Sequence, residues 1–342
     1  MFAVRREICA YAIDKTDFYG YYILTMELKD IISRFIITDT GGRADYSHGC
    51  AAAVGCFDGV HLGHRTLIGE LCVRANEKRL PAVIFTFLPD DRPKQNTKLL
   101  ASRRGNLRLL AACGVNRVIE IPFGAVRDIP AEDFVRDILL RAFDVRLAVG
   151  GYNFRFGYRG SGDNALLAAV LAEGGAECFV TPAYTFCGIP VSSTEIRERI
   201  HRGDVRTANA MLGRQYSFSG TIIHGKGIGH MLGFPTINIH FPQNFTVPRY
   251  GVYASEVRLD GITYGGVTNI GIRPTFGGDT VPMSETFIFG FSGDVYGRTA
   301  AVSLCGFIRD ERRFESADTL KNQIETDKIY AKSILSEGGP AI

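Results

Sequence analysis

The chain has 342 residues, 46% apolar and 22% charged, the composition of a globular protein of about two domains. A formal net charge of +3 is too small to argue for a nucleic-acid or membrane partner. No apolar run approaches the roughly 20 residues of a spanning helix, and eight scattered cysteines show no CxxC and no metal-ligand spacing. The pattern is that of a cytoplasmic protein whose thiols stay reduced in the core.

In chain order, residues 1–47 form an extension and a lead-in strand. MFAVRREICAYAIDK is basic but is broken by Asp14 and Lys15, and Glu7, Asp14 and Asp17 speak against a transit peptide. Residues 1–25 are expected to be loosely packed and dispensable. From about 50 to 190, strands and helices alternate. AAAVGCF reads as a buried strand and 64–78 as a helix. PAVIFTF is a strand, RRGNLRLLAACG a helix and VNRVIEIPF a strand. PAEDFVRDILLRAF is a helix with a Pro–acid start, followed by the strand VRLAVGG. NALLAAVLAEGG is a helix stopped by paired glycines before the strand AECFVTPA. Such alternation predicts a parallel sheet with helices on both faces and ligands outside the C-terminal strand ends.

Between the first strand and its helix lies VGCFDGVHLGHRTLIGE. Gly55, Gly59 and Gly63 let the turn approach a ligand closely. The helix N-terminus offers unpaired N–H groups to phosphate. His61 and His64 can donate hydrogen bonds to phosphate and to charge that builds during transfer. A pair of surface histidines in a polar loop is the plain alternative. GGYNFRFGYRGSGD at 150–163 is a mere loop, or a base site in which Asn153 and Asp163 flank aromatics. VSSTEIR at 191–197 sets Ser192, Ser193 and Thr194 at a helix start with Arg197 one turn in, which is also how an ordinary N-cap reads. Two short helices carry the chain to about 213, with the boundary between 200 and 214. After that, short strands separated by Gly, Pro and Asp turns (YSFSGTIIH, GVYASEVRL, ITYGGVTNI, SETFIFGF and AVSLCGFI) predict a small antiparallel β-barrel. A final helix runs from about 317 to 335.

Taken together, FDGVHLGH, GYNFRFG…GD and SSTEIR resemble the adenylyltransferase module of bacterial bifunctional riboflavin kinase/FAD synthetases. The later runs GTIIHGKGIGHMLGFPTIN, GVYA, GVTNIGIRPTF, SETFIFGFSGDVYG and FIRDERRF are similar to the kinase module of the same family. The resemblance covers about 50–335. It implies an FMN adenylyltransferase domain over 48–200, a linker helix over 201–213 and a riboflavin kinase domain over 214–337. The fold class is then α/β plus all-β: a Rossmann-like nucleotidyltransferase followed by a barrel with a C-terminal helix.

The implied chemistry is phosphorylation of riboflavin to FMN by ATP, then adenylylation of FMN to FAD with release of pyrophosphate. Flavin is substrate and product, Mg²⁺ accompanies ATP, and the protein is a cytoplasmic monomer or weak oligomer. In the kinase, Glu285 falls on the family's base position, and Thr236 and Asn238 share a strand face from which two oxygens reach Mg²⁺. His224, Gly225, Lys226 and Gly229 cradle phosphate, and Asn269 and Arg273 are further substrate contacts. By the same alternation Glu285 lines up with Phe287, Phe289 and Phe291; the plain alternative is a solvated edge charge. In the transferase, Gly55, Phe57, Asp58 and Gly59 line the nucleotide, His61 and His64 grip phosphate, and Ser193, Thr194 and Arg197 hold the leaving pyrophosphate.

The chain departs from the family at Cys56, at His230 in place of an Arg, and at Gly290 in place of an Asp. It also reads Thr86-Phe87-Leu88-Pro89-Asp90-Asp91 where the family has TFxPHP. Two acids near a phosphate site raise a second reading, a riboflavin kinase with weak or lost adenylyl transfer. The intact PTxN run, Glu285 and both phosphate loops argue against a flavin-binding protein without turnover, and a nucleotidyltransferase for another acceptor leaves the barrel unexplained.

Overall fold

The computed structural model describes residues 26–40, 44–91, 97–225, 234–242, 244–274 and 280–337. The expectations for residues 1–25, Lys226, Gly229 and His230 fall outside them. The chain divides into two compact units. One is built from residues up to Thr97 together with Arg103–Pro190. The other is built from Val191 onward together with Lys98–Ser102.

The first unit opens with helix α1 (Met26–Ser33) and strand β1 (Ile36–Asp39), followed by β2 (Cys50–Val54), α2 (Leu62–Glu77), β3 (Ala82–Phe87), α3 (Arg103–Ala112) and β4 (Arg117–Ile121). It continues through α4 (Phe123–Val126), α5 (Ala131–Asp133, running on as a π-helix through Ala142), β5 (Val145–Gly151), α6 (Asn164–Glu173), β6 (Glu177–Thr181) and the small hairpin β7 (Thr185–Phe186) and β8 (Ile189–Pro190). The main sheet has the order β1-β4-β3-β2-β5-β6. Four of its five pairings are parallel, and β1 runs antiparallel to β4 along the edge. The alternation of strand and helix accounts for the parallel part. The antiparallel edge strand is too short to show a period, and it enters because Leu28, Ile32 and Phe35 just before it are buried in the core.

β2 shows why both faces are covered. Alternate side chains point to opposite faces of a strand. Cys50, Ala52 and Val54 join one core with α1, α5 and α6, and Ala51 and Ala53 join the other with Leu67, Ile68 and Leu71 of α2. Burial beside Asp144 pushes the Cys50 thiol up to about 12, so it is an inert core group. Cys56 and Cys187 are exposed, against the expectation that the cysteines are core residues.

The second unit begins with α7 (Ser193–Arg202) and α8 (Val205–Leu212), then β9 (Tyr216–Thr221), β10 (Thr236–His240), β11 (Gly251–Leu259), β12 (Ile262–Pro274), β13 (Thr280–Ile288), β14 (Thr299–Arg309) and the long α9 (Ala317–Ser336). The sheet is antiparallel, in the order β10-β13-β12-β11-β14-β9. An isolated bridge between Ile223 and Asn238 draws its two ends together into a half-barrel. The sequence reading split α7 and α8 between a transferase domain ending at 200 and a linker, whereas by packing both helices group with the barrel. Asn209 of α8 is the reason: its buried amide donates to the Leu304 carbonyl at 2.8 Å and accepts from the Tyr216 N–H at 2.7 Å.

α9 is held against the sheet by an ion pair. Asp327 is only 2% exposed; Arg309 of β14 reaches it through Nε at 2.9 Å and Nη2 at 2.7 Å, and Gln323 adds a bond at 2.7 Å. Removing one partner of such a pair strands a buried charge, which costs about 3–5 kcal/mol. Asp327→Ala is therefore expected to lower the unfolding free energy of the protein by about that amount in urea titrations, with a smaller loss for Gln323→Ala.

Candidate active sites

β2 pairs with β3 on one side and β5 on the other, so the chain changes direction across the sheet at its C-terminal end. In open α/β sheets that switch point is where a ligand crevice forms. The loop leaving β2 turns through Phe57, Gly59 and Val60 at positive φ (43°, 77° and 39°). His61 then caps α2, its Nδ1 accepting the backbone N–H of His64 at 3.2 Å. An imidazole that accepts at Nδ1 carries its hydrogen on Nε2. His61 is 3% exposed, and the two imidazole rings stack with centroids 3.6 Å apart. Phe57 meets the His64 ring edge-on at 5.2 Å. The structure thus brings Gly55, Phe57, Asp58, Gly59, His61 and His64 together around one helix N-terminus.

The loop after β5 is more structural than the sequence reading implies. Asp163 caps α6, one carboxylate oxygen accepting from Ala165 and Leu166 N–H at 3.1 Å each. Phe156 is buried in the core and stacks on Phe154 at 5.3 Å, so neither ring is an open platform for a base. Asn153 is exposed.

The TFLPDD turn also proves ordered. The Asp91 carboxylate accepts the Gly124 N–H at 3.0 Å, tying down the start of α4. Asp90 is exposed and lies near Arg103, whose guanidinium is held above its ordinary range first by Glu120 and in smaller part by Asp90. Arg103 grips the buried Glu120 with two bonds, at 2.8 and 2.7 Å. Asp91 is therefore held by backbone, while Asp90 is exposed with Arg103 as a nearby cation.

In the second unit, Ser192 caps α7 by accepting the Glu195 N–H at 3.2 Å. Arg197 Nε donates to the Lys98 carbonyl at 2.6 Å and so holds the segment Lys98–Ser102 to this helix. Ser193 and Thr194 occupy the first turn of α7.

The barrel gathers the rest. β13 lies between β10 and β12, and Glu285 is paired in register with Asn238 on one side and Asn269 on the other. Thr236, two residues along the same face, donates its hydroxyl to the Glu285 carboxylate at 3.0 Å. Asn238 is 4% exposed, and its side-chain amide forms no hydrogen bond among the described residues. Gly225 passes directly over it: a Cβ there would sit 2.4 Å from the Asn238 amide nitrogen, so a side chain at 225 would push that amide aside. Beside it the His224 ring stacks on Tyr296 at 3.6 Å. Arg273 lies in β12, in register with Val281. The alternation expected to run from Glu285 to Phe291 stops at Ile288, where the strand ends and Gly290 turns at φ 65°. Phe287 still meets Phe289 edge-on at 5.9 Å, while Phe291 packs on Tyr264 instead.

Several neighbours of these residues escaped the sequence reading. Glu311 accepts from the Asn269 amide at 3.0 Å. Phe234 meets Phe287 edge-on at 5.4 Å, and Lys328 of α9 lies 5.2 and 5.5 Å from these two rings. Asn106 and Thr86 bond the loop after β2. All lie far along the chain from the groups they touch; Glu311, Phe234 and Thr86 fall in the quoted runs FIRDERRF, GTIIHGKGIGHMLGFPTIN and TFLPDD, whereas Asn106 and Lys328 carried no signal.

A riboflavin kinase family model matches residues 212–335, and an FAD synthetase model matches residues 43–195. The bifunctional riboflavin kinase/FMN adenylyltransferase of Escherichia coli strain K12 is 35% identical over 305 residues, covering 86% of this chain and 95% of that protein. This chain belongs to that family. The protein of the same description from Bacillus subtilis is 34% identical over 82% of this chain and 90% of its own length. A crystal structure titled macrolide-efflux protein from Streptococcus pneumoniae superposes with a TM-score of 0.76 at 26% identity, covering 86% of this chain and 97% of that one. No helix among the described residues is long and apolar enough to cross a membrane. The two halves of this family member are those of a riboflavin kinase and of an FMN adenylyltransferase.

The exposure of Asp90 in the TFLPDD turn has a measurable consequence. An exposed charge is worth little through water, so Asp90→His is expected to leave the Michaelis constants for FMN and ATP in FAD formation within about twofold. A larger drop in either constant, measured by FAD chromatography, would show that Asp90 faces the phosphates.

Proposed function

We propose that the barrel of this family member transfers the γ-phosphoryl group of ATP to riboflavin with Glu285 as the base, and that the loop after β2 carries out adenylyl transfer to FMN through His61 and His64. The observation that carries the kinase reading is the cross-strand row Asn238–Glu285–Asn269 with Thr236 bonded to Glu285. The Glu285 carboxylate accepts the proton of the riboflavin 5′-hydroxyl as its oxygen bonds to the γ-phosphorus. The bond from that phosphorus to the β,γ-bridging oxygen breaks, and ADP leaves. Phosphoryl transfer needs little from a protein beyond position and charge.

Thr236 and Asn238 fit the Mg²⁺ that accompanies ATP. The Thr236 hydroxyl gives its hydrogen to Glu285, which leaves its oxygen lone pairs for a cation, and the buried Asn238 amide supplies a second neutral oxygen. Hard cations take oxygen ligands, and the bound ion would neutralise phosphate charge. Gly225 and His224 border the same face, and the Lys226–Gly229 run is assigned to the phosphates on the family motif. Asn269 and Arg273 are assigned to the flavin side on the same ground.

For adenylyl transfer, an FMN phosphate oxygen attacks the α-phosphorus of ATP and pyrophosphate leaves, without a protein nucleophile. His61, with its ring hydrogen on Nε2, is a neutral donor to the phosphates, and His64 sits one turn along the same helix start. Backbone N–H groups at the helix start add positive potential. Ser193, Thr194 and Arg197 are assigned to pyrophosphate from the family motif, as are Asn153 and Asp163 to the nucleotide. The reaction belongs to the cytoplasm, where its substrates are, and is carried out by a monomer or weak oligomer. Against the alternative of a weakened transferase stands the Asp91 carboxylate, which is taken up by the Gly124 N–H.

Glu285→Gln keeps the shape of the site and removes the base. FMN formation from riboflavin is expected to fall by about 10²–10⁴-fold, with riboflavin binding retained in a fluorescence titration. Near-normal turnover would remove Glu285 from the mechanism. His61→Ala combined with His64→Ala is expected to stop FAD formation and pyrophosphate release while FMN formation continues at the wild-type rate. Chromatography of products from riboflavin and Mg-ATP reads both steps in one assay.

A further inference from the structure

The bend that delivers His61 is costly for the residues that make it. Phe57 and Val60 stand at φ 43° and 39°, a left-handed region that an aromatic and a β-branched residue avoid by about 1–3 kcal/mol each. Such a conformation persists only where surrounding groups over-determine it. The loop's own closing bond, from Val60 N–H to the Phe57 carbonyl, is 3.3 Å long. Shorter bonds come from outside the loop. Asn106 of α3 donates from Nδ2 to the Phe57 carbonyl at 2.9 Å and accepts the Gly59 N–H on Oδ1 at 2.9 Å. One amide thereby engages the backbone on both sides of Asp58, as a neighbouring strand would. The Thr86 hydroxyl donates to the Cys56 carbonyl at 3.0 Å, one residue earlier. Asn106 is itself rigidly placed, since Leu110 one turn later on α3 is fully buried.

We propose that Asn106 is a positioning residue for adenylyl transfer, its side-chain amide holding residues 57–59 in the left-handed bend that sets His61 and His64 at the start of α2. The inference rests on the assignment of those two histidines to adenylyl transfer. Both halves of the amide are needed, because the bend offers one acceptor and one donor. Aspartate at this position keeps the size and the acceptor for Gly59. It loses the donor and turns a carboxylate oxygen toward the Phe57 carbonyl.

Misplacing reacting groups by about 1 Å costs on the order of 10²-fold in rate. Asn106→Ala and Asn106→Asp are therefore expected to lower kcat for FAD formation by about 10–100-fold, with the Michaelis constants for FMN and ATP changed less than about threefold. Riboflavin phosphorylation by the same molecules serves as the internal control and is expected to be unchanged. Residues acting through one another give non-additive losses. Asn106→Asp placed on His64→Ala should therefore cost much less than on the wild type, a result that plain loosening of the fold would not give. Should Asn106→Ala fail to fold, the nearly isosteric Asn106→Asp decides alone. Wild-type kcat in that variant overturns the proposal, as does an equal loss of kinase turnover or full additivity with His64→Ala. If His61→Ala and His64→Ala themselves leave FAD formation intact, the assignment of the loop has failed instead, and the two failures are thereby told apart.

Discussion

The first unit depends on one strand being thin. Ala51, Ala52 and Ala53 of β2 are wholly buried, and side chains this small let helices approach the sheet from both faces at its centre. Larger residues would push α2 away on one face or α5 and α6 on the other. Because β2 is central, flanked by β3 and β5, its C-terminal end is the place where the chain switches direction across the sheet. The loop that follows inherits that position, and with it the helix N-terminus that His61 caps. Core packing and site placement are consequences of the same short run of alanines.

In the barrel the two faces of β13 do different work. Ser284 and Thr286 are wholly buried; Ser284 donates to the Ile239 carbonyl at 3.2 Å, and Thr286 joins the hydroxyl chain through Thr268 to Ser255 at 2.9 and 2.7 Å. Every buried hydroxyl in that chain has a partner, as a polar core requires. Glu285, between them in sequence, belongs to the opposite face with Thr236 and the two asparagines. The hydroxyl chain fixes the register of β10, β12 and β13, and the register is what places a carboxylate between two amides. A slip of one residue would bury Glu285 and expose the hydroxyls.

Charge in the first unit is arranged by pairing. Glu120 is 2% exposed, and a buried carboxylate of this kind needs a cation with good geometry, which the two bonds from Arg103 supply. Arg103 is half exposed and lies near Asp90, whose charge contributes in small part to holding its guanidinium protonated. Asp91, at the start of α4, meets a backbone N–H.

The sequence by itself determined the order of elements, because strand and helix periods and their Gly and Pro boundaries are local. It also determined the family, because FDGVHLGH, PTIN and SETF are contiguous motifs whose chemistry is carried within a few residues. The row joining Thr236, Asn238 and Glu285 was half legible: alternation put the first two on one face, but their pairing with Glu285 is a matter of register between distant strands. Alternation misled beyond Ile288, where the strand ends and Phe291 turns to pack on Tyr264. Asp163 and Ser192 were legible as possible binding groups, yet whether such a side chain caps a helix or meets a ligand is decided by backbone geometry around it. Only the tertiary structure decided that α7 and α8 pack with the barrel, through Asn209, and that Asn106 clasps the bend before His61. A hydrogen bond across 49 residues leaves no period, spacing or composition to read; it exists only once β2 and α3 have been brought side by side.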